Sequence, residues 1–171
     1  MAVSAYEVIS TQTLGSAAAS VTFSSISSAY TDLVLVSSTK YSTGGINNFA
    51  TFQVGNGSVD TGSNYSTTWV EGAVGGASSG RASNVTYSFI SYFGSGSSNT
   101  TEPVVSITNF QNYSNTLTNK TVITRFSNSN QVGAYVGLWR STSAINTITI
   151  TANGSNFALG STFTLYGIKA A

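Results

Sequence analysis

The chain has 171 residues and a formal net charge of +1, and only 6% of its residues are charged, against about 25% in an ordinary soluble domain. Because it contains no cysteine and no histidine, it can form no disulfide, no Cys/His zinc site, no cysteine nucleophile and no Ser-His-Asp triad. Serine, threonine and asparagine together make up about 40% of the chain, in place of the usual charged residues.

Strand signals recur from the start of the chain, and no window carries apolar residues at helical spacing. Residues 1–19 are predicted to form an N-terminal arm or an edge strand, and residues 20–171 a single domain. Residues 33–36 are apolar on both faces, which predicts a strand covered on both sides. Residues 49–54 predict the next strand, and the Gly-Asn-Gly sequence at 55–57 predicts a turn after it.

The middle of the chain is richer in small residues. Residues 65–70, which include Trp69, predict a weaker strand. Residues 72–84 are mostly Gly, Ala and Ser, and this composition predicts a long loop or flap. Alternating apolar residues from 85 to 93 predict a further strand, and the Gly/Ser segment 94–99 predicts a flexible connection.

The second half has clearer alternation of apolar and polar residues, separated by short connections rich in Asn, Ser and Gly. Its predicted strands cover residues 104–110, 120–126, 132–140, 144–152 and 161–168. About nine or ten strands in all, with no helix between them, predict an all-β fold. An antiparallel β-sandwich fits this pattern, and a jelly roll is the favoured form.

The charged residues exclude most chemical functions. The five carboxylates form no local pair of the kind that glycoside hydrolysis uses and no cluster that would hold calcium, so we expect no enzyme, no cofactor and no metal site. The scattered basic residues form no stripe for nucleic acid, and no apolar run is long enough to cross a membrane. The N-terminal residues do not resemble a secretory signal, which favours synthesis in a cytoplasm.

Large aromatic residues are plentiful, with two Trp, nine Tyr and nine Phe. In a sandwich of this size most of them are expected to fill the core or a subunit interface. The alternative is a glycan-binding platform, whose candidate residues are Trp69, Tyr113 and Trp139, with Tyr65 and Tyr135 as further candidates. In this alternative the Gly/Ser-rich segments 72–83 and 94–99 would form the rim of the site.

The low charge also predicts self-association. Soluble monomers usually carry surface charge, and exposed sheet edges are commonly protected by Lys or Glu. In this chain, surface charge and charged residues at strand edges are both scarce, so we expect other subunits to cover the edges and faces of the sandwich. A closed homo-oligomer follows, and a trimer is favoured.

Four stretches of the chain resemble small virion structural proteins of tailed phages, including cyanophages. The C-terminal sequence GSTFTLYGIKAA at 160–171 carries the resemblance best. It is supported by YTDLVL at 30–35, NKT at 119–121 and WRSTSAI at 139–145. These motifs are structural and include no catalytic residues.

The resemblance implies a capsid decoration (cement) protein, a trimeric jelly-roll subunit that binds the major capsid protein and stabilises the phage head. Such a protein would assemble in the host cytoplasm and lie on the capsid exterior. The alternative within the same class is a tail-fibre or receptor-binding module that recognises a host surface glycan through Trp69, Tyr113 or Trp139.

Overall fold

The computed structural model describes residues 6–44, 48–93 and 100–169. Within these ranges the chain forms thirteen β-strands and no α-helix. The strands are β1 (Tyr6–Thr13), β2 (Ser20–Phe23), β3 (Asp32–Thr39), β4 (Asn48–Asn56), β5 (Ser58–Val59), β6 (Tyr65–Ala73), β7 (Gly76–Val85), β8 (Ser88–Phe93), β9 (Val104–Phe110), β10 (Lys120–Ser127), β11 (Gln131–Trp139), β12 (Thr147–Asn153) and β13 (Thr162–Ile168). The predicted flexible segment 94–99 lies outside the described residues.

The strands form two sheets. The large sheet has eight strands in the order β1-β13-β3-β9-β10-β11-β6-β7, and the small sheet contains β2, β12, β4, β5 and β8. Every pairing is antiparallel, and the buried apolar side chains come from both sheets. The prediction of an all-β antiparallel sandwich is therefore confirmed, while its jelly-roll form stays a prediction.

The core lies between the sheets because alternate residues of each strand point inward. In β10, Val122 and Phe126 are buried whereas their neighbours Ile123 and Arg125 are exposed on the opposite face. Phe110 of the large sheet packs edge-to-face against Phe52 of the small sheet, with ring centroids 5.3 Å apart. Sequence alternation thus decides which side chains form the core.

Hydroxyl pairs extend the inner face where apolar residues are missing. The Oγ atoms of Ser37 and Ser106 lie 2.6 Å apart on neighbouring strands, and the hydroxyl of Thr124 donates to that of Thr108 at 3.0 Å. All four side chains are buried. Because each hydroxyl has a partner, the sandwich tolerates polar residues at inward-facing positions.

One predicted loop is wrong. Residues 72–84, predicted as a loop or flap, instead contain the end of β6, a two-residue turn at Val74 and Gly75, and most of β7. The Ser, Ala and Gly residues of β7 have weak strand preference, but β7 pairs with β6 along its length from Gly76 to Val85. Pairing with a neighbouring strand therefore outweighs local composition here.

The two edges of the large sheet differ. Within residues 1–19, which are predicted to form an arm or an edge strand, Tyr6–Thr13 is the edge strand β1. Gln12 Nε2 donates to the Thr22 carbonyl of the small sheet at 2.9 Å. At the other edge, β7 pairs with β6 alone. None of the described residues belongs to a helix that is long and apolar enough to cross a membrane.

Candidate functional sites

An aromatic pocket of about 410 Å³ lies between the two sheets near the β7 edge. On this side β8 is paired only with β4 and packs against β6, β10 and β11 of the large sheet. The described residues that line the pocket are Phe49, Trp69, Glu71, Ser78, Ser79, Phe89, Tyr92 and Tyr135. We call this set the aromatic pocket.

Strand register places the pocket's central side chains together. Trp69 and Glu71 are two residues apart on β6 and therefore point to the same side of the sheet. Tyr135 of β11 is the register partner of Trp69 on one side, and Gly80 of β7 is its partner on the other. A Cβ atom at Gly80 would lie only 2.4 Å from Trp69 Cζ2, so the indole ring occupies the space that a side chain at position 80 would need.

The aromatic rings of the pocket are inclined to one another. Phe89 lies at their centre, with ring centroids 6.4 Å from Trp69, 5.8 Å from Tyr135 and 5.4 Å from Phe49. The interplanar angles are 62°, 57° and 49° in the same order. These are the tilted and edge-to-face contacts that aromatic pairs prefer, and the rings form walls of the pocket.

Glu71 supplies the negative charge of the pocket. Ser78 Oγ donates to Glu71 Oε1 at 2.9 Å, and the Tyr135 hydroxyl donates to Oε2 at 3.0 Å. Burial, together with the nearby Glu71 carboxylate, raises the pKa of Tyr135, which keeps this phenol a neutral donor. Among the described residues, no Lys or Arg lies within ion-pair distance of Glu71.

The structure does not bring the three predicted platform residues together. Trp69 lines the aromatic pocket and is partly exposed. Tyr113 is fully buried and its hydroxyl donates to the Ser27 carbonyl, while Trp139 is 3% exposed. Neither buried ring can present its face to a sugar, so a platform made of all three residues does not form.

The two further platform candidates, Tyr65 and Tyr135, lie in different environments. Tyr65 is fully buried, its hydroxyl accepts from the Val54 backbone N–H at 3.0 Å, and its single hydrogen lies within reach of the carbonyls of Val54 and Asp60. Tyr135 lines the aromatic pocket. Tyr65 is therefore a core residue, whereas Tyr135 is part of the aromatic pocket.

Trp139 instead anchors a polar cluster at the end of the sandwich. Its Nε1 donates to Asp60 Oδ2 at 2.8 Å, and the Asn64 amide donates to the same oxygen at 2.9 Å. Burial acts to raise the pKa of Asp60, but hydrogen bonds from Trp139, Asn64 and the Gly62 backbone outweigh it and hold the pKa below its usual value. This cluster fixes the loop before β6.

Sequence reasoning missed Glu71 and the residues from the small sheet. Glu71 directly follows the predicted strand 65–70, and its spacing of two residues from Trp69 was the available signal, because a longer strand places the aromatic ring and the carboxylate on one face. Phe49, Phe89 and Tyr92 gave no such signal, since their meeting with Trp69 depends on how β4 and β8 pack across the core.

An apolar patch covers the outer face of the large sheet. It contains Val70, Val105, Ile123, Val132 and Val136, which are between 38% and 61% exposed. We call these five residues the outer patch.

Register places the outer patch residues on four neighbouring strands, β9, β10, β11 and β6. Ile123 is opposite Val136, and Ser127 is opposite both Val105 and Val132. Arg125 is exposed on the same face, opposite Ala134. Side chains directly opposite each other on one face are in contact range, so Ile123 and Val136 can touch, whereas Ser127 and Arg125 lie between the other patch residues.

Within the described residues no group of three or more His, Cys, Asp or Glu side chains is placed to hold a metal ion.

Comparison with known proteins assigns no family to this chain. No protein-family model matches it, and no match was found among curated proteins.

Two solved structures show a weak likeness. One is an engineered GH43 glycoside hydrolase described as displaying both endo-xylanase and exo-arabinofuranosidase activity (TM-score 0.38, 9% identity, 82% of this chain covered). The other is a xylan β-1,4-xylosidase from Bacillus halodurans C-125 (TM-score 0.39, 6% identity, 87% of this chain covered). The chain spans 30% and 32% of the length of these structures, and the similarity is too low to carry a functional argument.

Proposed function

We propose that this chain is a structural subunit of a phage virion, without enzymatic activity. In this proposal it is a capsid decoration protein that self-associates, as a trimer in the favoured form, and binds the major capsid protein on the exterior of the head. The observation that carries the proposal is the outer patch, five exposed apolar residues on one face of the large sheet in a chain with very little charge.

The outer patch has the properties of a surface that is covered in use. An exposed apolar area that spans several strands is uncommon on monomers and marks an interaction surface. Two exposed arginines share this face: Arg125 lies opposite Ala134, and Arg81 is in register with Thr68 beside Val136, so a partner that buries the face has to supply acceptors for them. Burial of the face therefore gains apolar contact, and acidic groups on the partner would offset the cost of desolvating these arginines.

The size of the molecule fits this role. A stable protein–protein contact buries about 800 Å² on each partner. The accessible surface of the chain is 8024 Å², so one such contact would cover about a tenth of it. In a decorated shell many repeated contacts act together, and avidity then holds the layer in place.

Self-association is tested by placing a charge in the outer patch. Val132 is 61% exposed, so Val132→Lys leaves the core intact but puts an ammonium group into the proposed interface. We expect light scattering at micromolar concentration to give a multiple of 17.7 kDa for the native chain, ideally three times that mass, and a lower mass for the variant.

The matched control is Leu117→Lys. Leu117 is 84% exposed, but it lies in the connection between β9 and β10, outside the patch. This variant should keep the native mass. A monomeric native chain, or an equal loss in both variants, would contradict the proposed interface.

The capsid partner is tested by co-sedimentation with empty expanded capsids assembled from the major capsid protein of a related tailed phage. We expect the native chain to sediment with the capsids and Val132→Lys to bind less. Specific binding to a neutral host glycan without any capsid binding would instead support the receptor-binding alternative.

A further inference from the structure

We propose that the aromatic pocket binds a methylated ammonium group carried by a small organic cation. In this assignment the aromatic rings face the cation and Glu71 supplies the balancing negative charge. The inference concerns a different surface from the outer patch and does not depend on the decoration role.

The first argument is charge. The described lining contains one carboxylate and no basic side chain. Both carboxylate oxygens of Glu71 are held by neutral donors, Ser78 and Tyr135, so its position is fixed but its charge is not neutralised. A fixed negative charge between partly buried apolar walls favours a cationic ligand, because the attraction is stronger there than in water.

The second argument is the aromatic lining. Five of the eight lining residues are aromatic, and the rings nearest Glu71 include Trp69 and Tyr135. The face of an aromatic ring is negative and attracts cations, and Trp provides the strongest attraction. Aromatic walls with one nearby carboxylate match the recognition of quaternary ammonium groups.

The third argument distinguishes a methylated ammonium from a primary one. A primary ammonium has three N–H donors that need acceptors when buried. Each Glu71 oxygen already accepts one hydrogen bond, from Ser78 or Tyr135, and most of the remaining lining is ring surface, so the pocket offers few further acceptors for three N–H groups. Methyl groups need no hydrogen bonds and pack against rings, so a methylated cation fits this lining better.

The pocket volume of about 410 Å³ falls within the usual range for small-molecule sites. It leaves room for a substituent beyond the ammonium group. Choline is therefore a suitable probe, and 3,3-dimethyl-1-butanol is its neutral counterpart of nearly the same shape.

The test is a titration followed through the indole N–H signals in ¹H–¹⁵N NMR spectra. The chain has two tryptophans, so Trp69 in the pocket and Trp139 in the buried cluster give one signal each. We expect choline to shift the Trp69 signal in a saturable way and to leave Trp139 nearly unchanged. The neutral counterpart should bind about tenfold more weakly or not at all.

Two matched variants test the role of charge. Glu71→Gln keeps the side-chain size but removes the negative charge, and it should weaken choline binding about tenfold. Glu102→Gln changes the net charge equally at an exposed position outside the pocket and should bind choline like the native chain. An unchanged Trp139 signal verifies that each variant is folded.

A separate arm uses phosphatidylcholine vesicles, since the trimethylammonium group occurs both in free choline and in lipid head groups. Co-sedimentation with these vesicles would assign the ligand's source to a membrane, and free choline binding alone would assign it to a soluble cation. Equal binding of choline and its neutral counterpart, binding of neutral sugars only, or no Trp69 shift with choline would each overturn the proposal.

Discussion

At the scale of single residues, the position of Trp69 depends on a glycine in the neighbouring strand. Gly80 has no side chain, and the Trp69 indole lies over its backbone. This arrangement turns the largest side chain of β6 into a wall of the aromatic pocket. Glycine, a weak strand former, is therefore required at position 80, within the segment whose composition suggested a loop.

We predict that Gly80→Ala destabilises the protein by about 1–2 kcal/mol, because the new Cβ would meet the rigid indole and force it to move. It should also shift the Trp69 indole signal and weaken binding in the pocket. Urea denaturation followed by circular dichroism measures the stability change.

Gly72→Ala is the control for this substitution, since Gly72 lies on the adjacent strand and a Cβ there would meet nothing within 4 Å. It should leave stability unchanged or raise it slightly, because alanine reduces the freedom of the unfolded chain. Equal changes in the free energy of unfolding for the two substitutions would show that the contact with Trp69 does not affect stability.

At the scale of strands, alternation in the sequence predicted the second half of the fold well. The predicted strand at 120–126 is β10 (Lys120–Ser127), and that at 161–168 is β13 (Thr162–Ile168). In β13, for example, Phe163 and Leu165 alternate with threonines, so the local pattern and the sheet agree. In β7 they disagree, because the strand is formed by pairing with β6.

The candidate site was less predictable than the strands. Trp69 could be identified as a binding residue from its type alone, and so could Trp139, yet one lines the pocket and the other is buried. The difference arises from the order of strands in the sheet, which places Trp69 near an edge beside β7. Strand order depends on contacts between distant segments, and alternation contains no information about it.

The edge strand β1 gives a prediction at the same scale. It pairs with β13 over its whole length, and Ile9 packs against the core. Deleting residues 1–13 removes these contacts and exposes the β13 backbone, so we expect a melting temperature about 5–10 °C lower and increased aggregation. Thermal melts and light scattering measure both effects, and an unchanged melting temperature would contradict a structural role for β1.

At the scale of the whole molecule, the few titratable groups determine how stability depends on pH. Burial is the main cause that raises the pKa of four tyrosines above the ordinary value of 10.0. These tyrosines are Tyr41, Tyr65, Tyr113 and Tyr135. In the unfolded chain these phenols lose their protons at lower pH than in the fold, so stability falls as the pH rises above about 10.

Lys120 acts in the opposite direction. It is 1% exposed, its Nζ donates to the carbonyls of Thr118 and Thr142, and burial lowers its pKa from 10.5. Its contribution to stability therefore increases as the pH rises toward that value. Because the four tyrosines lower the stability of the fold at alkaline pH and one lysine raises it, the net effect is a loss of stability.

We predict a melting temperature that is nearly constant between about pH 5 and 8, where no histidine titrates. It should then fall by about 10 °C between pH 9 and pH 11. Tyr41→Phe should reduce the alkaline fall, because phenylalanine cannot ionise. Differential scanning calorimetry over this range provides the measurement, and a melting temperature that stays constant up to pH 11 would contradict the assignment.

The Gln12–Thr22 hydrogen bond has a mechanical consequence for the sandwich. It fastens the large sheet to the small sheet on the β1 side, whereas on the far side β7 is attached to its own sheet alone. On that far side the sheets are joined through β8 instead, because the hydroxyls of Thr67 and Ser88 lie 2.7 Å apart and Phe89 packs against Trp69 and Tyr135. The sheets are therefore tied together on both sides, and a ligand between Trp69 and Phe89 has to fit the space that these contacts leave.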